Sequence, residues 1–260
     1  MSTRPTHAPQ PTHAPQLTHA PQLTHAMVLA AGLGLRMRPI TATTPKPLIS
    51  VAGRTMLDRA LDHLDRVGIA HKVVNTHWLA DKIAAHLKGR ADVTLSPESE
   101  LLETGGGVTR ALPLLGPAPF HVVNSDIIWT DGANRPALER LGAAWDDARM
   151  DALLLLQPTQ AALGYDGAGD FFLADDGGEA AIPQRRGTAP SAPLLFSGVQ
   201  ILSPRLFAEA PAGKFSLNLL YDRALAAGRL FALVHLGHWY HVGTPAALPM
   251  VEQALRQDQP

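Results

Sequence analysis

The chain has no cysteine, which excludes a disulfide framework, thiolate zinc sites and a cysteine nucleophile. An excess of either charge is also missing. There are 22 Lys and Arg against 23 Asp and Glu, a formal net charge of -1, so no global basic field draws nucleic acid or an anionic membrane. Any anion binding must come from a local site. No apolar run approaches the roughly 20 residues needed to span a bilayer, and the N-terminus carries no apolar stretch of the signal-peptide kind. The expectation is a cytoplasmic protein without nucleic-acid or membrane partners. What remains is an ordinary globular balance over 260 residues, 46% hydrophobic and 17% charged, with ample material for a core.

The first 25 residues are a tandem repeat, PTHAPQ-PTHAPQ-LTHAPQ-LTHA, poor in groups that could pay for ordering. His7, His13, His19 and His25 recur every six residues, but an unfolded tether holds no fixed ligand geometry. Residues 1–25 are expected to be a disordered tail, and 26–260 a single domain. From Ala26 the pattern changes to short apolar runs alternating with helical periodicity. Strands are expected at 26–30, 72–76, 92–95, 120–124, 152–156 and 194–202, with further strand material over 230–242. Helices are expected over 56–67, 79–87, from near Gly106, over 217–227 and after Pro245. Alternation of this kind implies an α/β fold, an open and mostly parallel Rossmann-like sheet flanked by helices on both faces. Ligands of such sheets sit beyond the carboxyl ends of the strands.

The loop after the first strand carries the strongest signal: Leu29-Ala30-Ala31-Gly32-Leu33-Gly34-Leu35-Arg36-Met37-Arg38, then Pro45-Lys46-Pro47. Two glycines let the backbone pass close to a phosphate and aim N–H groups at it. Arg36, Arg38 and Lys46 add positive charge, the arginines as planar forks and the lysine as a mobile point charge. Together they suit a polyphosphate. A dinucleotide fingerprint would need a third glycine where Met37 stands, and no Gly-Lys-Ser/Thr triplet makes a Walker loop. Asp126 closes a buried strand, where a carboxylate is a natural Mg2+ ligand.

With Pro45-Lys46-Pro47, the Leu-Ala-Ala-Gly-x-Gly-x-Arg-Met run resembles the signature of sugar-phosphate nucleotidyltransferases; Leu35 stands where Ser or Thr is commoner. The resemblance implies that Arg36, Lys46 and Asp126 are catalytic, with Leu29, Ala30, Ala31, Gly32 and Gly34 around the nucleotide. Leu102, Thr104 and Gly105 match the family's base-binding loop, in which glycines approach the flat ring, and Glu98 stands where relatives place a base-reading side chain. A carboxylate suits uracil N3–H or the guanine edge, so Glu98 leaves the base open. Trp239-Tyr240-His241-Val242-Gly243-Thr244 matches a late box whose usual Asp, the second metal ligand, is His241 here. The implied cofactor is Mg2+, with Mn2+ possible because imidazole is the softer donor.

Gly167, Asp170 and Asn218 are the implied sugar-binding residues. Phe171 is expected to stack on the ring, and Arg185-Arg186 to stand near the place of a phosphate-binding lysine. The implied partners are a nucleoside triphosphate and a sugar 1-phosphate. Among branches, the resemblance is to N-acetylmuramate 1-phosphate uridylyltransferases, with mannose 1-phosphate guanylyltransferase the alternative and a non-catalytic nucleotide-sugar sensor the reading from another class. A monomer or weak homodimer is expected.

Overall fold

The structure is a computed structural model that describes residues 23–131, 133–174 and 179–258. His7, His13 and His19 lie outside the described residues. The packed chain begins before the boundary expected at Ala26, because Leu23 packs on the core and Thr24 O accepts the His71 N–H. His25 belongs to the first strand and stacks on His71.

Strand β1 (His25–Leu29) runs into the glycine loop, which tightens into single 3-10 turns at Leu35–Met37, Ile40–Ala42 and Lys46–Leu48. The ribbon β2 (Ser50–Val51) and β3 (Arg54–Thr55) leads into helix α1 (Met56–Arg66). Thr55 caps α1 by accepting the Asp58 N–H, which satisfies one of the four free donors of the first turn. Met56, Leu57, Ala60, Leu61 and Leu64 give α1 one buried stripe, each large side chain contributing about 1.5–3 kcal/mol.

Next come β4 (His71–Thr76), α2 (Ala80–His86), β5 (Val93–Pro97), α3 (Glu103–Leu115) and β6 (Phe120–Asn124). They are followed by β7 (Ile127–Thr130), α4 (Ala137–Ala144) and β8 (Ala152–Pro158). Short strands β9 (Ala162–Leu163), β10 (Phe171–Leu173) and β11 (Pro183–Arg185) fill the irregular stretch. The described chain then runs through β12 (Leu194–Leu202), α5 (Asn218–Ala226), β13 (Leu230–Val234), β14 (His238–His241) and α6 (Ala247–Gln257).

The main sheet has the order β11-β10-β12-β6-β1-β4-β5, with β8 and β13 branching from β12. β6, β1, β4 and β5 are parallel, as are β8 and β13, while β12 runs antiparallel between β6 and β8. The open, mostly parallel sheet expected from the sequence is therefore present, with antiparallel strands in its second half. Both faces are covered. Helices α1, α2 and α4 pack on one face with Ala26, Val28 and Val123, and α3 and α5 pack on the other with Met27 and Val122. This is why β1 and β6 carry buried side chains on both faces rather than alternating with exposed ones.

Two expectations needed correction. The apolar material over 230–242 is two strands in different sheets: β13 extends the main sheet, whereas β14 joins β7 and β9. The switch occurs at Gly237, where an added Cβ would stand 1.9 Å from Thr130 O, so close passage of two backbones ends the first strand. Helix α3 begins at Glu103 and not near Gly106, which changes the role of its glycines.

Candidate active site

A cleft of about 500 Å³ opens beyond the carboxyl ends of β1 and β6 and is lined by Leu29, Ala30, Lys46, Asn124, Asp126 and Gly243, among others. The glycine loop forms one wall, with Ala31, Gly32, Gly34 and Arg36 all on the cleft. Gly34 is left-handed, with φ 62° and ψ 32°, a conformation glycine adopts without steric cost. Among the described residues, the N–H groups of Ala31, Gly32, Leu33 and Gly34 have no protein acceptor. A loop of unpaired N–H groups beside cations is an anion-binding concavity. Ser125 fastens this wall to the next, because its N–H and Oγ both donate to Leu29 O.

Lys46 and Asp126, 80 residues apart in the chain, meet in the cleft with Nζ 2.9 Å from Oδ2. The lysine side chain is 9% exposed and the carboxylate 42%, so the cation is sheltered while the carboxylate faces the opening. Desolvation raises the Asp126 carboxyl, but the charge and hydrogen bond of Lys46, helped by His241, outweigh it and hold the group below the ordinary carboxylate value. His241 is not among the residues that line the cleft; its Nδ1 lies 3.3 Å from Gly164 O. Desolvation and then the Lys46 charge push its imidazole below the usual histidine value, against the opposing pull of Asp126. Gly243 lets the chain pass beneath the ring, since a Cβ there would stand 2.7 Å from His241 Cε1.

The base-binding expectation fares differently. Thr104 lines the cleft, together with Leu101 and Glu103, but Glu98, Leu102 and Gly105 do not. Glu98 is 5% exposed. Its Oε1 accepts Asn75 Nδ2 at 2.7 Å and its Oε2 accepts the Leu102 N–H at 3.1 Å. The carboxylate is engaged inside the protein, where it braces Asn75 and the Leu102 N–H. The glycines serve helix packing. Gly105 and Gly106 both donate their N–H to Phe215 O, and a Cβ would meet the Phe215 ring at 2.3 Å or Gly213 O at 2.3 Å. Gly105 and Gly106 therefore let the 213–217 segment lie against α3, and a Cβ on Gly107 would stand 2.8 Å from Glu98 Oε1, where the sequence suggested close approach of a nucleobase.

The implied sugar residues are not brought into the cleft either. Asp170 Oδ2 accepts the Phe196 N–H, and Asn218 Oδ1 accepts Arg185. Gly167 stands against its neighbour Tyr165. Phe171 is 1% exposed, with the Arg185 guanidinium 4.8 Å from its ring centre, so it has no face left for a sugar. Arg186 is held by Gly169 O and Ala189 O. The structure adds residues that sequence reasoning missed: Asn75, Asn124, Ser125 and Ser216 line the cleft. Asn75 and Asn124 lie at the ends of parallel strands, which was the available signal. Ser216 stands two residues before Asn218, in the run where the resemblance implied sugar recognition.

A family model, the MobA-like NTP transferase domain, matches residues 26–212. The N-acetylmuramate alpha-1-phosphate uridylyltransferase of Caulobacter vibrioides is 42% identical over 238 residues, 89% of this chain and 96% of that protein. The protein of the same name from Neisseria meningitidis is 36% identical over 228 residues, 85% of this chain and 94% of its own. Among solved structures, a UDP-glucose pyrophosphorylase complexed with UDP-glucose superposes with a TM-score of 0.75 at 15% identity, covering 91% of this chain and 100% of that one. At that identity the likeness speaks for the fold. Family match, full-length relatives and fold agree: the chain belongs to the MobA-like NTP transferase family, the sugar-phosphate nucleotidyltransferases its opening motif resembles.

Proposed function

We propose that the protein joins UTP to N-acetyl-α-D-muramate 1-phosphate, forming UDP-N-acetylmuramate and pyrophosphate in the cytoplasm. The observation that carries this reading is the Lys46–Asp126 pair at 2.9 Å on the cleft that the glycine loop also lines. The substrate choice is supported by the names of the two full-length relatives. An oxygen of the sugar 1-phosphate attacks the α-phosphorus. One P–O bond forms, the bond to the departing pyrophosphate breaks, and the attacking phosphate is already ionised at neutral pH. No general base is needed. The work of the protein is to hold two anions in line and offset their charge. The N–H groups of residues 31–34 and the Arg36 fork hold the triphosphate. Lys46 sits where charge is transferred, and the Thr104 and Ser216 hydroxyls are on hand for the base and the acceptor.

Among the described residues no three His, Asp or Glu side chains are arranged to hold an ion alone. The half-buried Asp126 carboxylate, which faces the opening of the cleft, nevertheless fits Mg2+, which takes most of its ligands from water and phosphate. We propose Asp126 and His241 as its protein ligands, with Mn2+ also accepted because of the imidazole. Such an ion would screen phosphate charge during transfer. A matrix of nucleoside triphosphates against sugar 1-phosphates, scored by pyrophosphate release with Mg2+, Mn2+ or Co2+, tests the proposal. Preference for GTP with mannose 1-phosphate would replace the substrate assignment. Nucleotide binding without release under all three metals would make the protein a sensor.

A further inference from the structure

The segment that follows β4 makes a set of contacts that no reaction step uses. Asn75, on β4, accepts the Ala30 N–H at 2.7 Å, at the entry to the glycine loop. Three residues on, Trp78 Nε1 donates to Thr41 O at 2.9 Å, and Lys82 Nζ on α2 donates to Thr43 O. Between them Leu79 is left-handed, with φ 52° and ψ 38°, a conformation disfavoured for a residue with a Cβ. The segment therefore grips the glycine loop at its entry and the 40–44 turn beyond its exit.

Thr41 completes the chain of contacts. It is 1% exposed. Its Oγ1 donates to Gly34 O at 2.8 Å, and its Cγ2 lies 2.9 Å from where a Gly34 Cβ would stand. The hydroxyl thus holds the left-handed residue of the loop by hydrogen bond, and the methyl leaves no room for a side chain there. Neither Thr41 nor Trp78 lines the cleft, so neither is placed to touch a ligand.

We infer that Thr41 and Trp78 are positioning residues that preset the glycine loop: the indole holds Thr41, and Thr41 holds Gly34. The inference rests on the reading of that loop as a polyphosphate cradle. A loop ordered beforehand binds without the entropy loss of being ordered by its ligand. Removing either link leaves the cleft side chains in place but lets the N–H groups of residues 31–34 wander.

The test measures binding of UTP and of inorganic tripolyphosphate to the full chain and to Thr41→Val, Thr41→Ser and Trp78→Phe. Thr41→Val and Trp78→Phe are expected to weaken both ligands about fivefold to tenfold, the effect of one lost hydrogen bond in a positioned site. Thr41→Ser, which keeps the hydroxyl, should bind within about twofold of the parent. The KM of the sugar 1-phosphate should stay unchanged, which a general loosening of the fold would not allow. Unchanged tripolyphosphate affinity in both variants overturns the inference, and so does a Thr41→Ser loss equal to that of Thr41→Val. If the parent binds tripolyphosphate but not UTP, the nucleotide assignment fails while the positioning role stands on the tripolyphosphate arm. If it binds neither, both fall.

Discussion

Replacing Lys46 probes the proposed chemistry most directly. Its Nζ lies 2.9 Å from Asp126 Oδ2 on a side chain only 9% exposed. An ammonium has three donors. Asp126 takes one, so two remain for phosphate oxygens without breaking the pair. Lys46→Met keeps most of the stem and removes the preorganised charge. Loss of one such electrostatic stabiliser costs about 3–4 kcal/mol of transition-state binding, so kcat should fall at least about a hundredfold. The same variant has a signature in pH. Burial raises the Asp126 carboxyl, and Lys46 is the principal force bringing it below the ordinary value. Without Lys46 the burial effect is opposed mainly by the neighbouring imidazole, and the carboxyl rises. Activity that needs ionised Asp126 then disappears at a higher pH than in the parent. Initial rates of pyrophosphate release from about pH 5 to 8, with circular dichroism to verify folding, measure both effects. Near-normal turnover in folded Lys46→Met, or an acid limb that stays where it was, refutes the reasoning.

Glu98→Ala leaves Asn75 Nδ2 and the Leu102 N–H without their acceptor. Each buried orphan costs about 1–3 kcal/mol, so the urea midpoint should fall while preference among nucleobases stays the same; a switch in preference at unchanged stability would restore Glu98 as a base reader. Gly105→Ala forces a Cβ to within 2.3 Å of the Phe215 ring. Overpacking of this kind costs about 1–3 kcal/mol, and turnover should drop with it, because Ser216 is the next residue; thermal unfolding and steady-state rates read the two. Acid should destabilise the fold through His63 and His121, whose imidazoles burial lowers to about 4 from 6.5. Because the folded values are depressed, their stabilisation is full above pH 6.5 and is lost as pH falls toward 4, about 2 kcal/mol each by pH 5. Denaturant unfolding at pH 7.5 and 5 measures the sum, and His121→Leu should remove its share of the difference.

Much of the candidate site was legible in the sequence because the proposed phosphate cradle is local. The glycine loop and Arg36 lie within one short stretch that lines one cleft, and β1 before it is apolar enough to mark the sheet. Asp126 was legible for a related reason, since a strand end in a parallel sheet opens on the crevice. The acceptor side was not legible. Asp170, Asn218 and Arg185 have the right chemistry, but whether a polar side chain meets a ligand or a neighbour depends on partners far along the chain. Here those partners are Phe196 N–H and one another.

The sequence alone determined the alternation of strands and helices, the cradle after β1 and the family, all of which are written in spacing and residue type. Tertiary structure decided that Lys46 and Asp126 form a pair across 80 residues, that Glu98 braces Asn75 and Leu102, and that the glycines of α3 receive Phe215. Those outcomes depend on which surfaces are pressed together when two sheet faces and the 213–217 segment are packed. A hydrogen bond between distant residues has no periodicity in the chain; it exists only once folding has brought both partners together.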